Sequence, residues 1–122
     1  MRIERRFTRK GKSPYEGMQF VKRCSEIKNP DGSTVFKLDN IDVPDRWTQL
    51  AVDILAQKYF RKAGILQVGT DGKVLTGPDG KPVLGAERDA RQVFHRMAGC
   101  WSNWGKKFGY FTTKEEDRKS VV

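Results

Sequence analysis

Apolar side chains recur at helical spacing in the middle of the chain. From Val43 to Gly64 they follow the i, i+3, i+4, i+7, i+8 pattern of an amphipathic helix. Pro44 suits the first helical turn, where its missing N–H needs no partner, and Asp45 favours the positive end of the helix dipole. Because Gly64 can adopt the left-handed conformation of a C-terminal cap, the pattern predicts one helix over Val43–Gly64. Its apolar stripe consists of Trp47, Leu50, Ala51, Ile54, Leu55, Tyr59 and Phe60.

Two segments with the composition of strands precede this helix. Phe20–Ile27 and Thr34–Leu38 are rich in residues that favour strands, and Asn29-Pro30-Asp31-Gly32 between them is a strong turn signal. The sequence therefore predicts a β-hairpin. Residues 1–19 ahead of it form a basic arm that glycines and a proline interrupt, so we expect only a short strand over Ile3–Phe7 there.

Residues 65–85 contain a short internal repeat. The segments Asp71–Leu75 and Asp79–Leu84 both begin with Asp-Gly-Lys, and each Asp-Gly pair marks a tight turn. Pro82 argues against a central strand, because proline lacks the N–H that a ladder requires. Two interpretations stay open for this region, an exposed β-ribbon and a flexible insertion.

A second amphipathic helix is predicted from Glu87 to Trp104, and Gly105 is expected to end it. Thr113–Glu116 then has the Thr-x-x-Glu form of a capping box, which marks the start of a third helix. The sequence given ends at Val122, so this third helix would be incomplete. The apolar stripe of the second helix consists of Ala90, Val93, Phe94, Met97, Ala98 and Trp101.

Together these elements predict an α+β fold. It comprises an N-terminal β-hairpin and two amphipathic helices joined by a ribbon or loop rich in glycine and aspartate, followed by the incomplete third helix. We expect one domain over residues 1–122. Its parts are the arm (1–19), the hairpin and first helix (20–64), a variable ribbon (65–85), and the second and third helices (86–122).

The charge is positive and unevenly distributed. The chain carries 24 Lys and Arg against 15 Asp and Glu, a net charge of +9, and residues 1–28 hold nine basic and three acidic side chains. This balance favours an anionic partner such as nucleic acid, a nucleotide phosphate or an acidic protein surface. No segment has the apolar length of a signal peptide or a transmembrane helix. With only two cysteines, a reduced cytoplasmic setting is expected and a membrane partner is not.

Few residues carry candidate chemistry. His95 is the only histidine, and no acid or nucleophile stands at a spacing that would make it catalytic. Cys24 and Cys100 are each expected to be small buried hydrophobes rather than reactive thiols. The glycines between positions 69 and 80 lack the preceding strand and following helix of a phosphate-binding loop. We therefore assign no catalytic, cofactor-binding or metal-ligating residue.

Two aromatic features bear on binding. The basic arm with Phe7, Tyr15 and Phe20 could grip a nucleic acid backbone and stack on bases, although an arm that docks on a larger protein is favoured. A dense aromatic block near the C-terminus could be a ligand surface, although packing against further protein is favoured. The block consists of Trp101, Trp104, Phe108, Tyr110 and Phe111.

Four blocks of the sequence resemble the N-terminal region of class II ribonucleotide reductases, the adenosylcobalamin-dependent enzymes. They are MRIERRFTRKGKSPYEGMQF, RCSEIKNPDGSTVF, VPDRWTQLAVDILAQKYFRKAG, and ARQVFHRMAGCWSNWG with GYFTTKEED. The blocks occur in family order and cover most of residues 1–117. The ribbon falls where the family tolerates variable length. Cys24 departs from the family, which usually has a small hydroxyl residue there, and the closing RKSVV does not continue the family helix.

The resemblance implies a module of a much larger enzyme that converts ribonucleotides to deoxyribonucleotides. In that enzyme a ten-stranded α/β barrel carries a cysteine thiyl radical, which adenosylcobalamin generates, and thioredoxin or a similar reductant supplies electrons. The radical cysteine, the reducing cysteine pair and the barrel carboxylate would all lie beyond Val122, so no catalytic residue is carried over. Cys100 matches a family position without a transferable role. We expect the isolated chain to be inactive and to be a natural truncation or a split-gene product.

Three hypotheses follow. The first is an N-terminal structural module of a cobalamin-dependent reductase, which packs its aromatic block on the catalytic barrel. The second is a stand-alone basic domain that binds nucleic acid. The third is a module that joins or regulates a separately encoded reductase.

Overall fold

The predicted α+β fold is confirmed by the computed structural model, which describes residues 4–111. Residues 20–93 form one compact unit, here the first unit, and the segments 4–19 and 94–111 belong to a second. In chain order the elements are β1 (Phe20–Lys28), β2 (Thr34–Pro44), α1 (Gln49–Ile54), a π-helical segment (Leu55–Tyr59), β3 (Ile65–Leu66), β4 (Leu84–Gly85) and α2 (Ala90–Lys107).

The predicted hairpin is confirmed, but its second strand is longer than expected. β1 and β2 pair antiparallel from Phe20 opposite Pro44 to Lys28 opposite Thr34, so β2 continues six residues beyond Leu38. The turn between the strands forms where Asn29-Pro30-Asp31-Gly32 predicted it. Both the side-chain hydroxyl and the backbone N–H of Ser33 donate to Asp31, and the hydroxyl bond above all holds the pKa of this exposed carboxyl below its usual value.

A bulge in β2 explains why the sequence pattern did not predict the part of the strand beyond Leu38. Between the pairs Arg23–Ile41 and Ser25–Leu38, β2 contains one more residue than β1. Asn40 has a positive φ of 57° there, a conformation that asparagine tolerates better than most residues. Because the extra residue shifts the two-residue alternation, the apolar positions 36 and 38 before it share a face with 41 and 43 after it. Ile41 and Val43 are fully buried in the core as a result.

The first helix is much shorter than the predicted Val43–Gly64. It begins at Gln49, where the Thr48 side chain accepts a hydrogen bond from the Ala51 N–H and caps the first turn. Pro44 ends β2 instead of starting the helix, because Val43 is required in the sheet. The last turn widens into the π-helical segment, in which the Phe60 N–H donates to the Leu55 carbonyl.

The predicted helical stripe is also rotated. Leu50 and Ile54 are exposed, whereas the buried positions are Val52, Leu55 and Ala56, followed by Phe60. The predicted stripe and the observed one have similar spacing. Apolar periodicity alone therefore did not fix which side of the helix faces the hairpin.

Polar contacts with β1 fix that rotation. The Ser25 hydroxyl is buried and donates to the Asp53 carboxylate at 2.7 Å, and Gln57 donates to the same hydroxyl oxygen at 3.2 Å. Gln49 donates to Asp53 and to the Cys24 carbonyl, both at 2.9 Å. Arg23 completes this polar network by donating to the Gln49 side chain at 2.7 Å.

The core of the first unit lies between the hairpin, the first helix and the start of α2. The buried acid Glu87 closes one side of it, because its carboxylate accepts the Arg61 N–H at 2.8 Å while its own N–H donates to the Arg61 carbonyl. Lys62 lies over the Phe36 ring and donates to the Ala56 carbonyl. The buried apolar members are Ile41, Val43, Val52, Leu55, Ala56, Phe60, Ala90 and Val93.

Residues 65–85 form the β-ribbon, and both Asp-Gly turns are confirmed. In each turn a first glycine donates to the lysine carbonyl four residues on, and the aspartate accepts the lysine N–H at 3.1 Å. The hairpin turn at residues 29–33 repeats this bonding pattern. The second glycine of each ribbon turn has φ of 76°, which a side chain with a Cβ would strain.

The ribbon closes on itself through backbone hydrogen bonds. Gln67 donates to Val83, Val83 donates to Leu75, and Leu75 donates to Gln67, at 2.8–2.9 Å. These three residues are eight positions apart, which is also the spacing of the two turns. The internal repeat therefore forms a small self-bonded structure, which favours the ribbon over a flexible insertion.

α2 begins at Ala90 in the first unit, continues into the second and ends at Lys107, so Gly105 does not end the helix as predicted. The chain forms turns and irregular structure over residues 4–19, and the predicted strand is absent at Glu4–Phe7, the part of Ile3–Phe7 that the structure describes. The predicted third helix and its capping box at Thr113–Glu116 lie outside the described residues. Among the described helices, none combines the length and apolarity needed to cross a bilayer.

The polar network predicts an energetic coupling between Ser25 and Asp53. Deleting either partner leaves a polar group of the other poorly satisfied, so Ser25→Ala and Asp53→Ala should each reduce the free energy of unfolding by about 1–3 kcal/mol. The double variant should cost less than the sum of the two, as expected for contacting groups. Urea denaturation followed by tryptophan fluorescence measures this, with Ser33→Ala in the exposed turn as a milder control. Additive losses would show that the hydrogen bond does not couple α1 to β1.

Candidate docking surface

One apolar stripe on α2 changes its surroundings along the helix. In the first turn Ala90 and Val93 are buried in the core of the first unit. Further along, the stripe continues at alternating spacings of three and four residues, and these members are exposed. They are Phe94 (40% exposed), Met97 (38%), Trp101 (53%), Trp104 (54%) and Phe108 (65%), and we call them the α2 seam.

The α2 seam lies on a well-terminated helix. The Tyr110 N–H donates to the Gly105 carbonyl at 2.9 Å and the Gly109 N–H donates to the Lys106 carbonyl at 3.3 Å. Together with the positive φ of Gly109, these bonds make the Schellman motif that commonly ends helices. The seam therefore lies on a helix whose last turn is closed by backbone hydrogen bonds.

The chain folds back over the helix after this cap. Gly105 is buried, and a Cβ on it would lie 2.0 Å from Cε2 of the Phe111 ring. Phe111 is consequently half-buried, whereas Trp101, Trp104, Phe108 and Tyr110 remain exposed. The predicted aromatic block thus divides into one half-buried ring and four exposed ones.

Positive charge surrounds the exposed rings. The sequence contains no acidic side chain between Phe94 and Phe111, whereas it contains Arg96, Lys106 and Lys107 there. The Lys107 ammonium lies 5.6 Å from the centre of the Phe108 ring, close enough for a cation–π contact. The described part of the second unit contains eight basic and two acidic side chains, a net charge of +6.

The residues considered for chemistry are not brought together. His95 is exposed and lines a groove of about 570 Å³, whose other lining residues are Pro14, Tyr15, Phe94, Ala98, Gly99 and Ser102. Among the described residues that line this groove, none brings a carboxylate or a thiol beside the imidazole. Over residues 4–111, no three His, Cys, Asp or Glu side chains cluster as metal ligands would. The described residues therefore offer no catalytic pair and no metal centre.

The burial predicted for both cysteines is wrong. Cys24 and Cys100 are exposed free thiols. Cys24 lies on β1, opposite the bulge of β2. It lines a cleft of about 620 Å³ together with Lys22, Arg23, Asp39, Asn40 and Gln49. Its face of β1 is opposite to the one that carries Ser25 to the helix, because neighbouring strand residues alternate in direction. Cys100 lies on α2 seven residues after the buried Val93 and is nevertheless exposed, so hydrophobicity alone mispredicted both environments.

Sequence reasoning located the aromatic block but missed the length of the seam. The predicted stripe ended at Trp101, whereas the exposed stripe continues through Trp104 to Phe108. The missing signal was present in the spacing, because 94, 97, 101, 104 and 108 alternate by three and four as in helix-packing seams. Placing the helix end at Gly105 obscured it. A large exposed apolar surface of this kind marks an interaction site.

Comparison with known proteins identifies the family of this chain. The sequence profile of class II vitamin B12-dependent ribonucleotide reductases matches residues 21–120, and the chain belongs to this family. The vitamin B12-dependent ribonucleotide reductases of Bradyrhizobium diazoefficiens and Agrobacterium fabrum are each 48% identical over 132 residues, covering 95% of this chain and 10% of those proteins. That of Rhodopirellula baltica is 29% identical over 109 residues, covering 89% and 9%.

The chain thus spans about a tenth of the length of the curated relatives it matches. The matched region is their N-terminal part, as the sequence resemblance predicted.

The fold-back of Phe111 yields a prediction about two glycines of α2. Gly99→Ala should raise the free energy of unfolding by about 0.5–1 kcal/mol, because alanine favours a helix over glycine and nothing lies within 4 Å of its Cβ. Gly105→Ala should lose that gain, because the new methyl group displaces the Phe111 ring. In a Phe111→Ala background Gly105→Ala should become stabilising. Urea denaturation measures all four variants, and equal effects of the two substitutions in the wild-type background would contradict the packing.

Proposed function

We propose that this chain is the N-terminal structural module of an adenosylcobalamin-dependent ribonucleoside-diphosphate reductase. The complete enzyme reduces ribonucleotides to deoxyribonucleotides for DNA synthesis and repair, with a thioredoxin-type reductant. The observation that carries the proposal is the family match along almost the whole chain. The module acts as one domain beside a catalytic barrel, which is supplied in the same polypeptide or by a second one.

A structural rather than catalytic role agrees with the chemistry of the described residues. His95 and the two cysteines are exposed, and residues 4–111 hold no cluster of metal-ligating side chains. Both thiols are free in the described structure, which suits a reducing cytoplasm. The active-site cysteines belong to other parts of the enzyme.

The described residues do not fit adenosylcobalamin. The clefts beside His95 and Cys24 have volumes of about 570 and 620 Å³, too small to enclose a corrin ring with its nucleotide arm. We therefore assign no residue of this chain to the cofactor. In the complete enzyme the barrel holds it.

Trans-complementation tests the proposal. The Bradyrhizobium reductase would be prepared without the N-terminal tenth that matches this chain, and ribonucleotide reduction would be measured with adenosylcobalamin and thioredoxin. We expect low activity, saturable restoration when this chain is added, and no activity from this chain by itself. A fusion of this chain to the shortened enzyme serves as the covalent control. Failure of both the mixture and the fusion, while the intact relative is active, would overturn the proposal.

A second candidate is a stand-alone module that binds nucleic acid. The net charge of +6 in the described second unit favours it, as does Phe7, which is 94% exposed within the basic arm, since basic grooves with exposed rings bind single strands. Titration with random single-stranded DNA at several salt concentrations tests it. Tight binding that weakens steeply with salt, together with failed complementation, would favour this function over the first.

A further inference from the structure

We infer that the α2 seam is the surface on which this module docks to the rest of the reductase, and that its partner there is an apolar helix flanked by carboxylates. The inference rests on the proposed function and adds to it the docking surface and the chemistry of the partner. The α2 seam comprises Phe94, Met97, Trp101, Trp104 and Phe108.

The spacing of the seam indicates a helix as the partner. Residues that alternate by three and four along a helix form a nearly straight line on its surface, and such lines pack against another helix with side chains inserted between those of the partner. Four uninterrupted intervals, from Phe94 to Phe108, follow this rule.

The side chains of the seam are those that carry binding energy in protein interfaces. Two tryptophans at its centre, Trp101 and Trp104, are about half exposed, and tryptophan is enriched among the residues that dominate interface energetics. Phenylalanines at both ends and Met97 complete an apolar surface. Leaving these rings in water is unfavourable by about 25 cal/mol for each Å² of apolar area, so a covering surface is strongly favoured.

The rest of the reductase supplies the partner. The relatives continue for about nine times the length matched by this chain, whereas the described residues 4–111 leave the seam exposed. The matched region is the N-terminal part of those proteins, so the barrel follows it in the same polypeptide. A docking partner is therefore present at high effective concentration wherever the two parts are linked.

The positive charge beside the seam predicts acidic side chains on the partner. The segment from Phe94 to Phe111 has three basic side chains and no acidic one. Lys107 lies over Phe108 at the C-terminal end of the seam, and Lys106 precedes it. Acidic side chains on the partner would complement this field and suppress wrong pairings, because electrostatic complementarity contributes mainly specificity and association rate.

Other exposed apolar residues are weaker candidates. On α1, Leu50 and Ile54 are exposed four residues apart, but they form a single pair on a helix of six residues. The ribbon exposes several aliphatic side chains, but its backbone groups at Gln67, Leu75 and Val83 already bond to one another. Neither surface contains an exposed tryptophan, so both provide natural controls.

Charge substitutions in the seam test the inference. The double variant Trp101→Glu, Trp104→Glu should weaken binding of this chain to the shortened Bradyrhizobium reductase by about a hundredfold or more, since two central aromatic anchors are lost. Leu50→Glu, an apolar-to-acidic change at a more exposed position on α1, should alter the dissociation constant by less than about threefold. Circular dichroism checks that each variant remains folded, which the exposure of all three side chains favours.

The flanking charge is tested separately. Lys106→Glu, Lys107→Glu should weaken binding by about tenfold, more at low salt than at high salt, whereas Lys73→Glu, Lys81→Glu on the ribbon changes the net charge equally and should have little effect. Equal effects of the two pairs would overturn the acidic flank of the partner.

The outcomes separate this inference from the proposed function. If the wild-type chain restores activity and the tryptophan variant restores it equally well, the docking surface is wrong while the proposed function holds. If the chain alone forms a dimer by light scattering, and the tryptophan variant abolishes the dimer without weakening binding to the reductase, the seam joins two copies and the inference is overturned. If neither the wild-type chain nor the fusion supports activity, the proposed function fails and the docking inference fails with it.

Discussion

The hydrogen bond from the Ser25 hydroxyl to the Asp53 carboxylate determines how the first unit is built. It fixes the rotation of α1 against β1, and that rotation decides which apolar side chains enter the core. Gln49 and Gln57 lie on the same side of the first helix and bond to the same strand. Because a buried hydroxyl without a partner is costly, the alternative rotation, with Leu50 and Ile54 inward, would lose these bonds as well as the packing of Val52.

The bulge at Asn40 has an equally specific consequence. Without the extra residue, the apolar side chains on either side of it would point to opposite faces of the hairpin. With it, the strand extends to Pro44 and carries Val43 into the core. A short turn then leads to Thr48, which caps α1. The Asp42 N–H then bonds to the Arg88 carbonyl and brings the start of α2 to the same core.

The exposed apolar stripe lies on the helix that begins there. α2 buries its first apolar turn and leaves the next four turns of the same stripe exposed. The Schellman motif and the packing of Phe111 on Gly105 close the far end of the helix. We propose that the chain presents this surface as a module of a larger reductase.

The sequence by itself determined the α+β class, the hairpin, all three Asp-Gly turns, the presence of two helices and the resemblance to class II reductases. These features depend on local turn chemistry, on strand and helix periodicity, and on the amino-acid sequence of long segments. Only the tertiary structure decided the bulge at Asn40, the rotation of α1, the exposure of Cys24 and Cys100, and the extension of α2 past Gly105. The rotation of α1, for example, depends on contacts between residues distant in sequence, such as that of Ser25 with Asp53. Periodicity shows that a helix has an apolar side, whereas contacts alone show which side is covered.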